Sequence, residues 1–270
     1  MDHTRPRMLR LSYLKHYNGL LIGLSAVICL FTGCTDRTDD PRDKVGIHGQ
    51  QKPGEARVQA VSLQADGWTV YADYYNTQST PIGAVILLHQ RGGNASDWQK
   101  LCIALRDAGI AALAIDQRGA GRSVGVGNNQ DDKATWDTSS DIAAGVKFLI
   151  KQNRAYQHHL GIVGASYGAN NALIFAVKHK IEIQALSLFS PGADYNGLDA
   201  LTPAKSWEGP LILFYSLHDE KAGLGPQQIR DASPSHDKLG YQFDDDKHGT
   251  ELLSPENIDA NVVFFTRTLK

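Results

Sequence analysis

Cysteine is scarce. The 270-residue chain holds three, Cys29, Cys34 and Cys102, too few for a disulfide framework of any size. Positive charge is not in excess either. Lys and Arg number 27 against 29 Asp and Glu, a formal net charge of −2. Nothing is therefore set up to hold a polyanion, and nucleic-acid binding is a poor first reading. No internal repeat or low-complexity block interrupts the chain, and its longest uncharged apolar run falls short of the ~20 residues a spanning helix needs. No spaced set of His, Asp and Glu resembles a metal site, and no cofactor is expected. What is present is an ordinary mixture, 42% hydrophobic and 21% charged residues, which excludes a wholly disordered or collagen-like chain.

The N-terminus departs from the rest. Arg5, Arg7, Arg10 and Lys15 precede an uncharged run from Leu20 to Thr32, and small residues follow. A basic region, a short apolar region and small residues make a secretory signal. The segment Leu30-Phe31-Thr32-Gly33-Cys34 resembles the lipobox of bacterial lipoproteins, with Phe31 where that pattern prefers Leu. The resemblance implies cleavage before Cys34, lipidation of Cys34 and, with Thr35 next, passage to the outer membrane. Ordinary cleavage near Gly33, or an uncleaved anchor, with Cys34 incidental, is the other reading. Loss of residues 1–33 removes four basic residues and Asp2, taking the net charge from −2 to −5. Residues 35–57 are polar, with Pro41, Pro53, Gly46, Gly49 and Gly54, and read as a tether.

From Val58 onward the pattern is that of one folded domain, residues 58–270. Two alternating stretches, Val58–Leu63 and Trp68–Tyr75, flank the turn signal Ala65-Asp66-Gly67 and predict a hairpin. Continuous apolar runs at Gly83–Leu88 and Ile110–Ile115 predict strands buried on both faces. Further strands are predicted at Leu160–Val163, Ile183–Phe189, Pro210–Tyr215 and Leu239–Phe243. Helices are predicted over Trp98–Ala108, Asp137–Gln152, Tyr167–Lys180 and Pro255–Leu269. This alternation predicts an α/β fold: a mostly parallel central sheet with helices on both faces and an N-terminal β-hairpin. Cys102 lies on the apolar face of its helix with Leu101 and Leu105, as a buried inert thiol would.

The pattern G-x-S-x-G occurs twice. Gly164-Ala165-Ser166-Tyr167-Gly168 follows a strand and opens a helix, the setting of a nucleophile elbow, where a sharp turn lifts the serine hydroxyl out of the sheet. Gly121-Arg122-Ser123-Val124-Gly125 runs into a polar loop and reads as coincidence.

At these residues the chain resembles the α/β-hydrolase superfamily over about 58–270. His89-Gln90-Arg91-Gly92-Gly93 resembles the oxyanion loop H-G-x-x-G. Asp116-Gln117-Arg118-Gly119-Ala120-Gly121-Arg122-Ser123 resembles the D-x-R-G-x-G-x-S turn. Leu211–Asp219 resembles the strand that ends in the catalytic acid, and His248-Gly249-Thr250-Glu251-Leu252-Leu253 the catalytic-histidine loop. The order Ser166, Asp219, His248 is the superfamily's order. The resemblance implies that Ser166 attacks a carbonyl carbon, that His248 takes and returns its proton, and that Asp219 orients His248. It places the oxyanion donors at the backbone N–H groups of Gln90 and Tyr167, with Gln90 where the pattern has Gly. Glu220 is the adjacent rival to Asp219. Asp244, Asp245 and Asp246 form a charge run expected to face solvent. His89 is expected to be structural. Trp98, Trp136, Tyr167 and Tyr195 either line the acyl pocket or pack in the core.

Many superfamily members insert a lid between the strands ending near Ser190 and starting near Pro210. Here that gap is short and polar, so no sizeable lid is expected. The lidless arrangement and the H-G-T-x-L-L loop are similar to dienelactone-hydrolase-like members, which use Cys where Ser166 stands. The expected function is a serine hydrolase cleaving a small carboxylic ester through an acyl-enzyme, anchored by lipid to the bacterial envelope. A peptidase, thioesterase or acyltransferase with the same triad is the alternative, as is a non-catalytic envelope binding protein on the same scaffold. The implied partners are a small-molecule ester and, through the anchor, the membrane; oligomeric state is left open.

Overall fold

The computed structural model describes residues 58–77, 81–124, 135–179 and 183–270. The signal, Cys34, the tether and Gly125 of the second serine motif lie outside the described residues. The folded unit is built on one eight-stranded sheet. Its strands are β1 (Val58–Ala65), β2 (Trp68–Tyr75), β3 (Gly83–Leu88), β4 (Ile110–Asp116), β5 (Leu160–Ala165), β6 (Ile183–Phe189), β9 (Leu211–Ser216) and β10 (Lys238–Phe243). Between β6 and β9 lie two strands of two residues, β7 (Asp194–Tyr195) and β8 (Leu198–Asp199), which pair with each other. The order across the large sheet is β1-β2-β4-β3-β5-β6-β9-β10. Strand β2 runs antiparallel to both β1 and β4, and every other pairing is parallel.

The apolar runs became the inner strands for the reason their composition gives. Every residue of β3, β4, β5 and β9 is buried, which only a sheet covered on both faces allows. Side chains alternate between the two faces. Ala84, Ile86 and Leu88 join Leu113, Ile162 and Leu213 under α2 (Ser139–Gln152), α3 (Tyr167–Lys178), α4 (Leu201–Ala204) and α5 (Gly225–Ala232). Val85 and Leu87 join Ala112, Val163 and Phe214 under α1 (Gln99–Asp107) and α6 (Pro255–Thr268). Cys102 is one of these α1 contacts, fully buried, and burial pushes its thiol pKa well above the ordinary value.

The helix predicted to begin at Trp98 instead opens with a 3-10 turn, Ala95–Trp98, capped by the Asn94 side chain on Ser96 N–H at 2.9 Å. Helices α4 and α5 were not anticipated. The first has four residues, and the only large apolar side chain buried by the second is Ile229. No lid is inserted: the stretch between β6 and β9 holds only the β7–β8 hairpin and α4. Among the described residues no helix is long and apolar enough to cross a membrane.

The parallel order has one consequence for chemistry. Strand β3 is followed in space by β4 on one side and β5 on the other, so the chain reverses its winding there. The carboxyl ends of β3, β5, β9 and β10 all open on the same edge, and ligands of open α/β sheets bind at such a switch point.

Candidate active site

Ser166 occupies the turn between β5 and α3 with φ 55° and ψ −124°. A non-glycine residue adopts positive φ only where its surroundings hold it there. Two glycines make that possible. A Cβ on Gly164 would lie 2.4 Å from the Gly168 carbonyl oxygen, and one on Gly168 would lie 2.6 Å from the His89 carbonyl oxygen. The turn is thus pressed against both its own helix and the end of β3. Ser166 N–H donates to Phe189 O at 2.8 Å, tying the turn to β6. Tyr167 is the first residue of α3, so its N–H belongs to the helix-terminal donors that no intrahelical carbonyl can satisfy.

Asp219 follows β9 and His248 follows β10; both are buried. His248 Nδ1 lies 2.7 Å from Asp219 Oδ2 and 3.0 Å from Oδ1. In a neutral imidazole the nitrogen facing a carboxylate is the protonated one, and Nε2 then carries the lone pair. Burial favours the neutral acid at Asp219. Hydrogen bonding and charge from His248 oppose it, aided by Ser190 and Ala222, and hold the carboxyl below the usual carboxylate range. Asp219 Oδ1 also accepts the N–H groups of Lys221 at 3.1 Å and Ala222 at 3.2 Å. Glu220, by contrast, is exposed. On the other loop, His248 N–H donates to Glu251 Oε2 at 2.9 Å.

Two side chains lie beside this pair: Ser190, which the sequence did not mark, and Tyr195, read there as a pocket or core aromatic. Ser190, buried at the end of β6 with φ 47°, accepts Gly249 N–H on its Oγ at 3.0 Å and is also hydrogen-bonded to Asp219. Tyr195, on β7, donates to Ser190 O at 3.0 Å, and its ring meets the His248 ring edge-on at 6.5 Å. Burial raises the Tyr195 pKa above its ordinary value, outweighing a hydrogen bond with the Ser166 side chain. Ser166 and His248 therefore share a wall. Of the other aromatics, Trp98 is core, packed against Phe189 at 5.6 Å. Trp136 and Tyr167 meet edge-on, with the Arg91 guanidinium 4.5 Å from the Trp136 ring centre and 5.5 Å from that of Tyr167.

The oxyanion-like loop is held from behind. Fully buried His89 donates from Nδ1 to Gln90 O at 2.7 Å and accepts Gln117 N–H on Nε2 at 3.0 Å. Both contacts require the neutral Nδ1–H tautomer. Burial, the largest effect, lowers the His89 pKa and favours that neutral form. The second serine motif is structural. Ser123 Oγ accepts Tyr71 N–H at 2.8 Å, and Asp116 accepts the N–H groups of Ala95 at 2.7 Å and Arg122 at 3.2 Å. In the same turn Arg118 pairs with buried Asp141 at 2.7 Å. In the acidic run, Asp244 and Asp246 are exposed as expected, whereas half-buried Asp245 bonds Ser216 Oγ and ties its loop to the end of β9. Among the described residues no group of three or more His, Cys, Asp or Glu side chains is placed to share a metal ion.

The site thus sets a carboxylate-paired imidazole, His248 with Asp219, at the sheet edge that carries the positive-φ serine Ser166. Comparison with known proteins gives one family match: the model described as "Serine aminopeptidase, S33" matches residues 79–238. That span holds the His89–Gly93 loop, Ser166 and Asp219, and ends before His248. A search of curated proteins found no match. Among solved structures, the dienelactone hydrolase of Anabaena variabilis superposes with TM-score 0.64 at 18% identity, covering 80% of this chain and 99% of that one. An esterase of Pyrococcus furiosus gives 0.65 at 19%, covering 80% and 92%. A cold-adapted esterase from an Arctic intertidal metagenomic library gives 0.66 at 20%, covering 82% and 97%. At these identities the structures share the fold, and the fold alone does not carry a substrate across.

Proposed function

The chain belongs to the family described as serine aminopeptidase, S33, serine hydrolases on the α/β-hydrolase scaffold, and from that premise we propose that it cleaves a small carboxylic ester through an acyl-enzyme while anchored by lipid to the bacterial envelope. The observation that carries the chemistry is the 2.7 Å contact of His248 Nδ1 with Asp219, at the sheet edge where Ser166 sits at positive φ. Ser166 Oγ attacks the ester carbon as His248 Nε2 takes its proton. The imidazolium is stabilised by Asp219, which remains ionised. The carbonyl π electrons move onto oxygen, and the N–H groups of Gln90 and Tyr167 receive that charge. Collapse breaks the bond to the alkoxide, which leaves with the proton from His248. Water then repeats the sequence, releasing acid and Ser166.

The anchor rests on the Leu30–Cys34 pattern behind a basic and apolar leader. Lipid on Cys34 and a polar tether would hold the domain at an outer-membrane surface, facing the periplasm or the outside. The absence of a lid favours small, soluble esters over lipid aggregates. The family's description favours one further reading, peptide-bond cleavage by the same triad.

Replacing Ser166 with Ala is expected to reduce hydrolysis of p-nitrophenyl acetate to background, a loss on the order of 10⁴–10⁶-fold. Turnover at the wild-type rate in that variant would overturn the mechanism. Alanine p-nitroanilide assayed beside the ester separates the two reactions, and faster amide than ester cleavage would replace the ester reading.

A further inference from the structure

The loops carrying Gln90 and His248 are joined by one side chain. Gln90 Oε1 accepts Thr250 N–H at 2.7 Å and the Thr250 hydroxyl at 3.2 Å, across 160 residues of sequence. Thr250 lies in the first turn of the 3-10 segment Gly249–Leu252, where backbone N–H groups lack an intrahelical acceptor. The contact is close: a Cβ on Gly249, at φ 59°, would fall 2.0 Å from Gln90 Oε1 and displace it. At its other end Gln90 is held by its backbone. Its carbonyl accepts His89 Nδ1–H at 2.7 Å and Gly93 N–H at 2.9 Å.

Resting on the serine mechanism above, we propose that the Gln90 side chain is a positioning residue, a brace that sets the distance between the oxyanion donor on its own backbone and the base His248 two residues before Thr250. The donor must meet the carbonyl oxygen while the base reaches both the Ser166 proton and the leaving group. A misplacement of about 1 Å in such a pair costs on the order of 10²-fold in rate. Glycine at position 90 would supply the same backbone N–H but leave the two loops unconnected here.

Gln90→Met keeps length and removes the acceptor. It is expected to lower kcat about 10- to 100-fold with KM within about threefold, because the loss falls on the transition state. Gln90→Glu keeps an acceptor but adds a titratable charge beside the developing oxyanion. The titratable and charged groups near it are His89 and Arg91 on its own loop and His248 and Glu251 on the facing one. The ratio of its kcat to that of wild type is expected to be highest at about pH 5 and to fall as the new carboxyl ionises. A merely structural role would lower Tm in Gln90→Met without lowering kcat of the folded variant. Wild-type kcat in Gln90→Met, or a Gln90→Glu ratio at about pH 5 no higher than that of Gln90→Met, overturns the brace; should Gln90→Met fail to fold, Gln90→Gly, which keeps the backbone N–H and lacks the acceptor, takes its place, and wild-type kcat there overturns the brace. Ser166→Ala assayed alongside separates the two claims. Retained turnover there overturns the serine mechanism itself, whereas its loss beside an unaffected Gln90→Met overturns the brace alone.

Discussion

Two opposing effects meet at Asp219. Burial favours the protonated acid, and the bonds from His248, Ser190, Lys221 and Ala222 favour the carboxylate; the bonds prevail. A folded-state pKa below the unfolded one contributes stability that is present above the ordinary value of about 4 and is lost as pH falls through the depressed value. Asp219→Asn is therefore expected to be destabilised at pH 7 by roughly 1–3 kcal/mol, the worth of charged hydrogen bonds. Its Tm deficit should shrink as pH falls from about 5 to 3; a deficit constant over that range would contradict the assignment. Ser190 is the residue that the sequence did not mark. It is one serine among many by composition, and only the closure of β6 against the His248 loop places its hydroxyl between Gly249 N–H and Asp219. The same holds for the Gln90–Thr250 link, which no periodicity encodes because its ends are far apart in sequence. The places of Ser166 and Asp219 at the sheet edge were legible because each follows an apolar, fully buried strand within a short motif, and that of His248 because its loop precedes the last helix.

At the scale of elements, the turn between β5 and α3 depends on two close approaches rather than on glycine's freedom of φ. Gly168 meets the carbonyls of Leu88 and His89, and Gly164 meets Gly168 itself. Gly168→Ala must push α3 away from the end of β3, at a cost of roughly 1–3 kcal/mol in a packed core. Because the same shift moves Ser166 relative to the Gln90 loop, turnover is expected to fall at least tenfold. Denaturant titration and ester kinetics on the one variant test both, and unchanged values in both would contradict the packing account. The strands that frame this turn were legible for a simple reason: β3, β4 and β9 are buried on both faces and so are apolar throughout. Helix α5 was not, since a two-turn helix with Ile229 as its one large buried apolar side chain leaves almost no period to read.

At the scale of the whole molecule, the sheet order brings the carboxyl ends of six parallel strands to one edge, and the 190–210 stretch leaves that edge without a lid. The proposed anchor adds a prediction of its own. In a Gram-negative host the full chain should fractionate with membranes and Cys34→Ala should not; identical partitioning of the two would remove lipidation from the account. The central claim, that Ser166 is a nucleophile activated by His248, is tested most directly by reacting the full-length protein with a fluorophosphonate and mapping the adduct by peptide mass spectrometry. The account predicts one adduct, on Ser166, formed at least about 10²-fold more slowly in His248→Ala. No adduct, an adduct on Ser123, or labelling indifferent to His248 would contradict it.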